Sequence, residues 1–323
     1  MNRPTTQAIG SLPLPAHMTN IEPTRAEGCL LGLACGNALG LPYEDIWPAS
    51  AVVEKSSARV RGWDPAEKDK PWDDDTAQAV LVAEMLAEGP LTPDGLGRRL
   101  LRWLRENGRG AKPLVVRVLD EIEGDVPVEE ASLDAFERLG RNWNSTNTAV
   151  VRSIAVALRH PDAKDLLVEQ TGVCSRVTHW NPLCVWSATS FNMAIASALL
   201  DRPIDLPVLA DESRSLGAPE AVVDAILAAR APLSTFLLEG KTKSNTLKAM
   251  QVGLWALQQH EPKVEELLEF LILEGGDTGT NAAIAGAALG AKFGRDAIGT
   301  RWISALREPE RIASIARRLA AGA

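Results

Sequence analysis

The sequence predicts an all-α fold, arranged as a single-domain helical bundle. Apolar residues recur at helical spacing in nearly every segment after Thr24, and no segment alternates apolar and polar residues as a strand would. Three segments are apolar nearly all round, namely 29–41, 149–158 and 280–291. We expect roughly ten or more helices, because helices without a polar face belong at the centre of a bundle and need amphipathic helices around them.

The predicted helices follow one another along the chain. Each carries apolar residues three and four positions apart, which places them on one helix face. The first and last are also rich in glycine and alanine, which lets two backbones approach closely although it lowers helix propensity. The predicted segments are residues 24–40, 75–89, 94–107, 147–160, 163–178, 183–200, 220–233, 246–260, 264–276 and 280–294.

Composition restricts the classes of function. The 323 residues are 46% apolar, enough for a large core, and carry a net charge of −8. Since non-specific affinity for nucleic acids comes from an excess of Lys and Arg, we expect no general nucleic-acid binding. Residues 98–117 are basic and residues 118–138 acidic, and we interpret both as solvated helix faces that attract each other. Residues 1–24 lack helical periodicity and are interpreted as an extended N-terminal arm before a domain at 25–320.

The cysteines and the N-terminus favour a cytoplasmic protein. Cys29, Cys35, Cys174 and Cys184 are too few for a disulfide scaffold and form no C-x-x-C pair. We expect Cys29 and Cys35 to be buried as small apolar residues. The N-terminus lacks the features of a secretory signal, and the apolar stretch 29–42 is shorter than the ~20 residues of a membrane-spanning helix. We therefore expect no membrane association, and a monomer is favoured.

Three consecutive aspartates, Asp73, Asp74 and Asp75, stand directly before a helix predicted to begin near Ala77. One carboxylate would suffice to cap the free N–H groups and to favour the positive end of the helix dipole. Three adjacent carboxylates repel one another unless a cation screens them, and clustered carboxylate oxygens are the ligands that Mg²⁺, Mn²⁺ and Ca²⁺ require. Metal binding and helix capping are the two interpretations.

A second oxygen-rich segment, GGDTGTN at 275–281, precedes the last apolar helix. Its structural interpretation is a glycine turn capped by Thr280 or Asn281. Its functional interpretation is a carboxylate, Asp277, and a hydroxyl at a helix N-terminus, able to hold a metal or a phosphate. No Lys follows in the Walker position, which argues against a P-loop. Two such helix starts predict one shared site.

Glu44 follows the first predicted helix, just beyond Pro42. A Glu is electrostatically unfavourable at the negative end of a helix, so it needs another partner unless water solvates it. Taken alone, this position is interpreted as a solvated loop residue.

Five motifs, in this order, resemble those of the ADP-ribosylglycohydrolase family over residues Arg25 to Leu306. They are RAEGCLLGLACGNALGLPYE, WDDDTAQAVL, STNTAVVRSIAVAL, SRVTHWNP and LEGGDTGTNAAIAGAALGAKFG. The family includes the dinitrogenase reductase-activating glycohydrolase and hydrolases of ADP-ribosylarginine and ADP-ribosylserine. The resemblance implies an orthogonal all-α bundle that cleaves the glycosidic bond between ADP-ribose and an acceptor, with one or two Mg²⁺ or Mn²⁺ ions as cofactor.

The resemblance also implies a role for each motif. The two helix starts would bind the metal through Asp73, Asp74, Asp75, Asp277 and Thr280. The catalytic groups would be Glu44, Asp74 and Asp277. The segment that cradles ADP-ribose, together with a histidine that helps to bind the substrate, would be Asn144, Ser145, Thr146, Asn147, Thr148 and His179.

Two substrate-binding assignments compete with simple packing. His179 lies between Thr178 and Trp180 and also fits a hydrogen-bonded core residue. Trp143, beside the ADP-ribose motif, ranks first among the tryptophans for stacking on adenine, ahead of Trp72 and Trp180. The other tryptophans are expected to pack in the core or against loops.

The chain departs from the family pattern at its motifs. Gly279 stands where the family has a carboxylate that commonly touches both metals, and Asp73 stands where it has a hydroxyl. Either Asp73 partly replaces the missing ligand, or the site holds one metal and loses most activity. Asn37 replaces a usual aspartate, and Thr146 and Thr148 replace two glycines, which narrows the approach to a ligand.

The leading hypothesis is a metal-dependent hydrolase that acts on ADP-ribosylated proteins or small molecules. The cation would hold the ribose diol and position water, while donors near Asn147 hold the pyrophosphate. Two alternatives are a non-catalytic or weakly active binder of ADP-ribose or another nucleotide, favoured by Gly279, and a hydrolase of a different N- or O-glycoside.

Overall fold

The structure is a computed structural model and describes residues 21–44, 71–139 and 145–322. Within these ranges every regular element is a helix, and one isolated antiparallel bridge joins Thr146 to Asn245. The predicted all-α fold is confirmed. The start of the domain at residue 25 stays a prediction, because most of the predicted arm lies outside the described ranges.

The helices are numbered in chain order, and short 3₁₀ turns join some of them. The first are α1 (Pro23–Gly40), α2 (Asp74–Glu88), α3 (Pro93–Glu106), α4 (Pro113–Glu123), α5 (Val128–Leu139), α6 (Thr148–Arg152), α7 (Ile154–Arg159) and α8 (Lys164–Arg176). They are followed by α9 (Pro182–Leu199), α10 (Leu206–Ser215), α11 (Glu220–Ala228), α12 (Thr246–Leu257), α13 (Val264–Leu273), α14 (Thr278–Phe293), α15 (Thr300–Ala305) and α16 (Pro309–Ala320).

Every predicted segment contains a helix, but one of them is divided. The segment 147–160 forms α6 and α7, which meet at Ser153. Asn192 Nδ2 of α9 donates to the carbonyl oxygen of Ser153 at 2.9 Å and to its Oγ at 3.2 Å. A side chain inserted in this way interrupts the helical hydrogen bonds. Contact with another helix therefore divides a segment whose own sequence pattern is continuous.

Two helix starts differ from the expected residues. α2 begins at Asp74 rather than near Ala77, because Asp73 Oδ1 accepts a hydrogen bond from the N–H of Asp75 at 3.3 Å and caps the helix. α14 begins at Thr278, directly after Asp277, so its cap is neither of the residues proposed from the sequence. Both helices therefore begin at a carboxylate.

Helices α1 and α14 lie antiparallel and in direct backbone contact. A Cβ atom on Gly28 would lie 2.4 Å from the carbonyl oxygen of Gly290, and one on Gly36 would lie 1.9 Å from that of Ala282. No side chain larger than hydrogen fits at such distances, so glycine is required at both positions. This contact confirms the expected meeting of the first and last apolar helices, and it places the end of α1 against the start of α14.

An ion cluster closes the other end of this helix pair. Glu27 of α1 accepts hydrogen bonds from Arg295 Nη1 at 2.6 Å and from Arg317 Nη1 at 2.8 Å, one at each carboxylate oxygen. Burial alone would raise the pKa of Glu27, but the two arginines outweigh burial and lower it. We call these three residues the Glu27 cluster.

The remaining core is apolar. Helix α9 has the length and composition of a membrane span, but 78% of it is buried inside the protein, as expected of a core helix. The four cysteines are buried and form no disulfide among the described residues, which confirms the expected burial of Cys29 and Cys35.

Candidate functional site

A buried asparagine of α1 fixes the aspartate motif. Asn37 is 0% exposed, and its Nδ2 donates to Asp73 Oδ1 at 2.9 Å. Its Oδ1 accepts from the N–H of Asp73 and from Thr76 Oγ1, both at 3.0 Å. An amide bonded on both sides has one favoured orientation, so the start of α2 is held against α1. Asp73 Oδ1 thus serves both Asn37 and the helix cap.

Asp74 and Asp75 are fully buried, and each keeps one oxygen without a partner. Asp74 Oδ2 accepts from Gln78 Nε2 at 3.1 Å, and Asp75 Oδ2 accepts from Thr280 Oγ1 at 2.7 Å. Among the described residues, Oδ1 of both has no hydrogen-bond partner. Burial and neighbouring carboxylates raise the pKa of both side chains well above the usual range. Such oxygens are unfavourable unless they bind a proton or a cation.

Asp277 joins these carboxylates from the start of α14. Thr278 Oγ1 donates to the carbonyl oxygen of Gly40 at 2.8 Å and holds the helix start on α1. Asp277 Oδ2 accepts from Asn147 Nδ2 at 2.9 Å. Burial would raise the pKa of Asp277, but the Lys112 ammonium and several hydrogen bonds outweigh burial and lower it. Asp277 is therefore an aspartate of the site that holds its negative charge readily.

The carboxylate of Glu44 fills the space above Gly279. A Cβ atom on Gly279 would lie 2.3 Å from Glu44 Oε1 and 3.1 Å from its Cδ. In the described part of the chain, Oε1 is buried and accepts no hydrogen bond. Burial raises the pKa of Glu44 to about 7, although Lys112 acts in the opposite direction. Glu44 is thus a mostly buried member of the site rather than a solvated loop residue.

Lys112 is a member of the site that sequence reasoning missed. Its Nζ lies 3.9 Å from Glu44 Oε1, and its side chain is 25% exposed. Burial would lower the pKa of Lys112, but the charges of Asp277, Asp75 and other carboxylates raise it far above the usual range. Lys112 stands at the cap of α4, where a cation faces the positive end of the helix dipole. This unfavourable charge at a helix end was the signal in the sequence for Lys112, as the negative charge beyond the end of the first helix was for Glu44.

The segment predicted to cradle ADP-ribose lies directly beside Asp277. Ser145 accepts a hydrogen bond at its carbonyl oxygen from the N–H of Thr246 at 2.8 Å, which ties the segment to α12. Asn147 is 1% exposed and binds Asp277 as described above. Thr148 Oγ1 is buried and finds no partner among the described residues. The structure thus brings this segment and the carboxylates together, as expected of one shared site.

His179 connects the segment to a buried arginine. Arg152 Nη2 donates to Thr178 Oγ1 at 2.8 Å, Thr178 Oγ1 lies 2.8 Å from His179 Nδ1, and His179 Nε2 lies 2.7 Å from Thr146 Oγ1. Since a guanidinium only donates, Thr178 Oγ1 accepts the hydrogen bond from Arg152. Burial and Arg152 lower the pKa of His179, so the ring is neutral. Both ring nitrogens bind protein, and contact with a substrate stays a prediction.

The adenine-stacking assignment also stays a prediction. Trp143, the first choice, and its neighbour Asn144 lie outside the described residues. Trp72 Nε1 donates to the carbonyl oxygen of Arg307 at 3.2 Å, and its ring is partly buried.

The donor chemistry of these carboxylates is that preferred by a hard divalent cation. The unpartnered buried oxygens on Asp74, Asp75 and Glu44 are the ligand type that Mg²⁺ and Mn²⁺ prefer, and a cation would satisfy them. Within the described residues, no group of three or more His, Cys, Asp or Glu side chains is yet arranged to hold a metal ion. Binding a cation would therefore require these side chains to move.

Two cavities lie apart from these carboxylates. One of about 480 Å³ is at the opposite end of α1 and includes Arg25 and His260 in its wall. Another of about 380 Å³ is lined by Trp72, Trp103 and Arg311. Neither is lined by an aspartate of the site or by Glu44, so we assign neither to it.

Fold and site together define an all-α protein in which buried carboxylates meet at two helix starts. The sequence profile of the ADP-ribosylglycohydrolase family matches residues 18–323. The chain belongs to this family, and membership supports a glycohydrolase-type function.

Two relatives and a solved structure are similar to this chain. An uncharacterized protein of Archaeoglobus fulgidus is 27% identical over 301 residues, which cover 90% of this chain and 94% of that protein. The uncharacterized protein YegU of Escherichia coli K12 is 28% identical over 192 residues, 54% of each chain. A structure described as an ADP-ribosylglycohydrolase-related protein complex has a TM-score of 0.69 at 23% identity, over 92% of this chain and 97% of that chain. That likeness confirms the fold.

Proposed function

We propose that this protein hydrolyses the glycosidic bond between the terminal ribose of ADP-ribose and an acceptor, with Mg²⁺ or Mn²⁺ as cofactor. The acceptor is a protein side chain or a small molecule. The main support is the pair of unpartnered, buried oxygens on Asp74 and Asp75, close to Asp277 and to the predicted ADP-ribose segment. Family membership supports ADP-ribosylated substrates.

The residues that would hold the cation are Asp74, Asp75, Asp277 and Thr280. When bound, the cation supplies Lewis-acid chemistry, which polarises and orients the oxygens of the ribose diol and of water. Asp73 contributes mainly by capping α2, because its Oδ1 already accepts hydrogen bonds from Asn37 and Asp75.

Glu44 would move the proton in this reaction. Its Oε1 accepts no hydrogen bond among the described residues and lies 3.9 Å from the Lys112 ammonium, and burial raises the pKa of Glu44 to about 7. A carboxylic acid poised in this way suits general acid or base catalysis of a cleavage with oxocarbenium character. His179 and Arg152 would orient the segment around Thr146, which in turn would hold the pyrophosphate.

A non-catalytic or weakly active ADP-ribose binder is the second candidate. It is favoured by the missing side-chain oxygen at Gly279, by the Lys112 ammonium beside Glu44 and by the absence of a ready ligand group in the described ranges. Each of these features weakens cation binding without removing the predicted ADP-ribose segment.

The two candidates differ in the release of ADP-ribose. Peptides ADP-ribosylated on Arg or Ser are incubated with the protein, with and without Mg²⁺ or Mn²⁺, and free ADP-ribose is measured. We expect metal-dependent release that Asp277→Ala lowers by at least about a hundredfold. Asp224→Ala, an exposed aspartate on α11, is the matched control and should leave release unchanged. Tight binding of ADP-ribose without release from either peptide would favour the binder.

A further inference from the structure

The space above Gly279 is filled by the carboxylate of Glu44. Position 279 offers no side-chain oxygen, and the 2.3 Å between a Cβ atom there and Glu44 Oε1 means that Glu44 already occupies the space. Two adjacent divalent ions need oxygens that they share as well as oxygens of their own. Among the described residues, the carboxylate nearest to a side chain at position 279 is that of Glu44.

Glu44 in turn faces a cation supplied by the protein. Lys112 Nζ lies 3.9 Å from Glu44 Oε1, and its charge also interacts with Asp277, Asp75 and Asp74. A lysine with a quarter of its side chain exposed, among several carboxylates, stays protonated and repels any further cation nearby.

The surroundings of Lys112 differ from those of Lys263, a lysine on the protein surface. Lys263 also stands at a helix cap, before α13, and pairs with a glutamate, Glu261, at 2.6 Å. Its side chain is 54% exposed, and its partner is 68% exposed. Lys263 thus forms a solvated ion pair, whereas Lys112 lies mostly buried beside Glu44, where its charge acts on the aspartates of the site.

We infer that the site takes one divalent cation rather than two, and that the Lys112 ammonium, paired with Glu44 above Gly279, supplies positive charge in place of the second. The inference rests on the metal-dependent function proposed above. Lys112 acts here as a positioning residue: it neutralises Glu44 and limits the number of ions without touching the substrate.

The number of bound ions tests the inference directly. Metal-free protein is titrated with Mn²⁺ alone, and free Mn²⁺ is measured by electron paramagnetic resonance. We expect one ion per chain. Two ions of similar affinity would overturn the inference and leave the proposed function standing. No binding to the wild type or to any variant would remove the metal-dependent function, and the inference with it.

Variants of Lys112 test whether its charge limits the number of bound ions. Lys112→Met should bind the first ion at least about tenfold more tightly and take up a second, because a repelling charge is gone. Lys112→Arg keeps the charge and should bind one ion with an affinity close to that of the wild type. Lys263→Met, the matched control, should behave as the wild type. One ion of unchanged affinity in a folded Lys112→Met protein would overturn the inference. Should that variant fail to fold, the wild-type count and Lys112→Gln decide.

Discussion

Two buried carboxylate clusters lie at opposite ends of the α1–α14 pair, and their oxygens are satisfied in opposite ways. Both oxygens of Glu27 accept hydrogen bonds from arginines, at 2.6 and 2.8 Å. Asp74 and Asp75 each leave Oδ1 without a partner among the described residues. Accordingly, the pKa of Glu27 is lowered and those of the two aspartates are raised.

The difference separates a cluster whose charges are balanced within the protein from the candidate site. Glu27 lies beside two arginines, whereas Asp74 and Asp75 at the start of α2 are fully buried among other carboxylates, so burial and the neighbouring charges together produce the contrast. A carboxylate bonded to two fixed arginines needs no further partner. A buried carboxylate held against like charges destabilises the fold until a ligand relieves it, as is common at functional sites.

The largest expected effects on stability come from the glycines at which α1 and α14 touch. Gly28→Ala and Gly36→Ala should each lower the free energy of unfolding by about 3 kcal/mol or more, because a backbone atom of α14 occupies the space of the new methyl group. Urea unfolding measures both. Gly36 precedes Asn37, so only Gly36→Ala should also weaken Mn²⁺ binding. Equal losses of Mn²⁺ affinity in the two variants would contradict binding at the end of α1 that carries Asn37.

Removing one charge at each end should change stability in opposite directions. Without metal, Glu27→Gln should lose about 2 kcal/mol of unfolding free energy, since it leaves two partly exposed arginines unpaired. Asp75→Asn should gain about 1–2 kcal/mol, since it removes a buried charge that neighbouring carboxylates repel and keeps an oxygen for Thr280. Urea unfolding in the presence of a chelator tests both substitutions. Destabilisation by both would contradict the difference between the two carboxylate clusters. Mn²⁺ should then stabilise the wild type but not Asp75→Asn.

A carboxylate introduced at position 279 should destabilise the protein while Glu44 is present. Gly279→Asp should cost about 1–2 kcal/mol of unfolding free energy, because the new side chain overlaps the carboxylate of Glu44. Adding Glu44→Gly should recover that loss. Thermal unfolding of the single and double variants provides the measurement, and an unimpaired single variant would show that Glu44 moves away easily.

The smallest effect concerns pH and the Glu27 cluster. Because the pKa of Glu27 is lowered in the folded state, its contribution to stability is complete above the usual pKa of about 4.5 and is lost as the pH falls through the lower folded value. The difference in unfolding free energy between the wild type and Glu27→Gln should therefore be constant from pH 7 to 5 and shrink below about 4.5. A difference that grew as the pH fell would contradict the lowered pKa of Glu27.

Local patterns account for what the sequence predicted well. Helical spacing of apolar residues depends on a single helix, and the glycines and alanines of α1 and α14 indicate close packing by their size alone. The aspartates at two helix starts were conspicuous because a cap needs only one carboxylate. Their assignment as metal ligands stays a prediction.

Contacts between distant segments account for what was missed. Lys112 was assigned to a solvated basic face, because its place at a helix start does not indicate that the side chain turns towards Glu44. The division of 147–160 at Ser153 depends on Asn192 in another helix. That Glu44 occupies the space above Gly279 also required the tertiary structure.

The pairing of α1 with α14 also determines when the site is formed. Asn37, Glu44 and Asp73 leave the ribosome early, whereas Asp277 and Thr280 follow more than two hundred residues later. Contacts of such long sequence separation slow folding, because the chain must close a large loop before they stabilise it. A nascent chain that ends before α14 therefore has an exposed glycine face on α1 and an incomplete set of carboxylates.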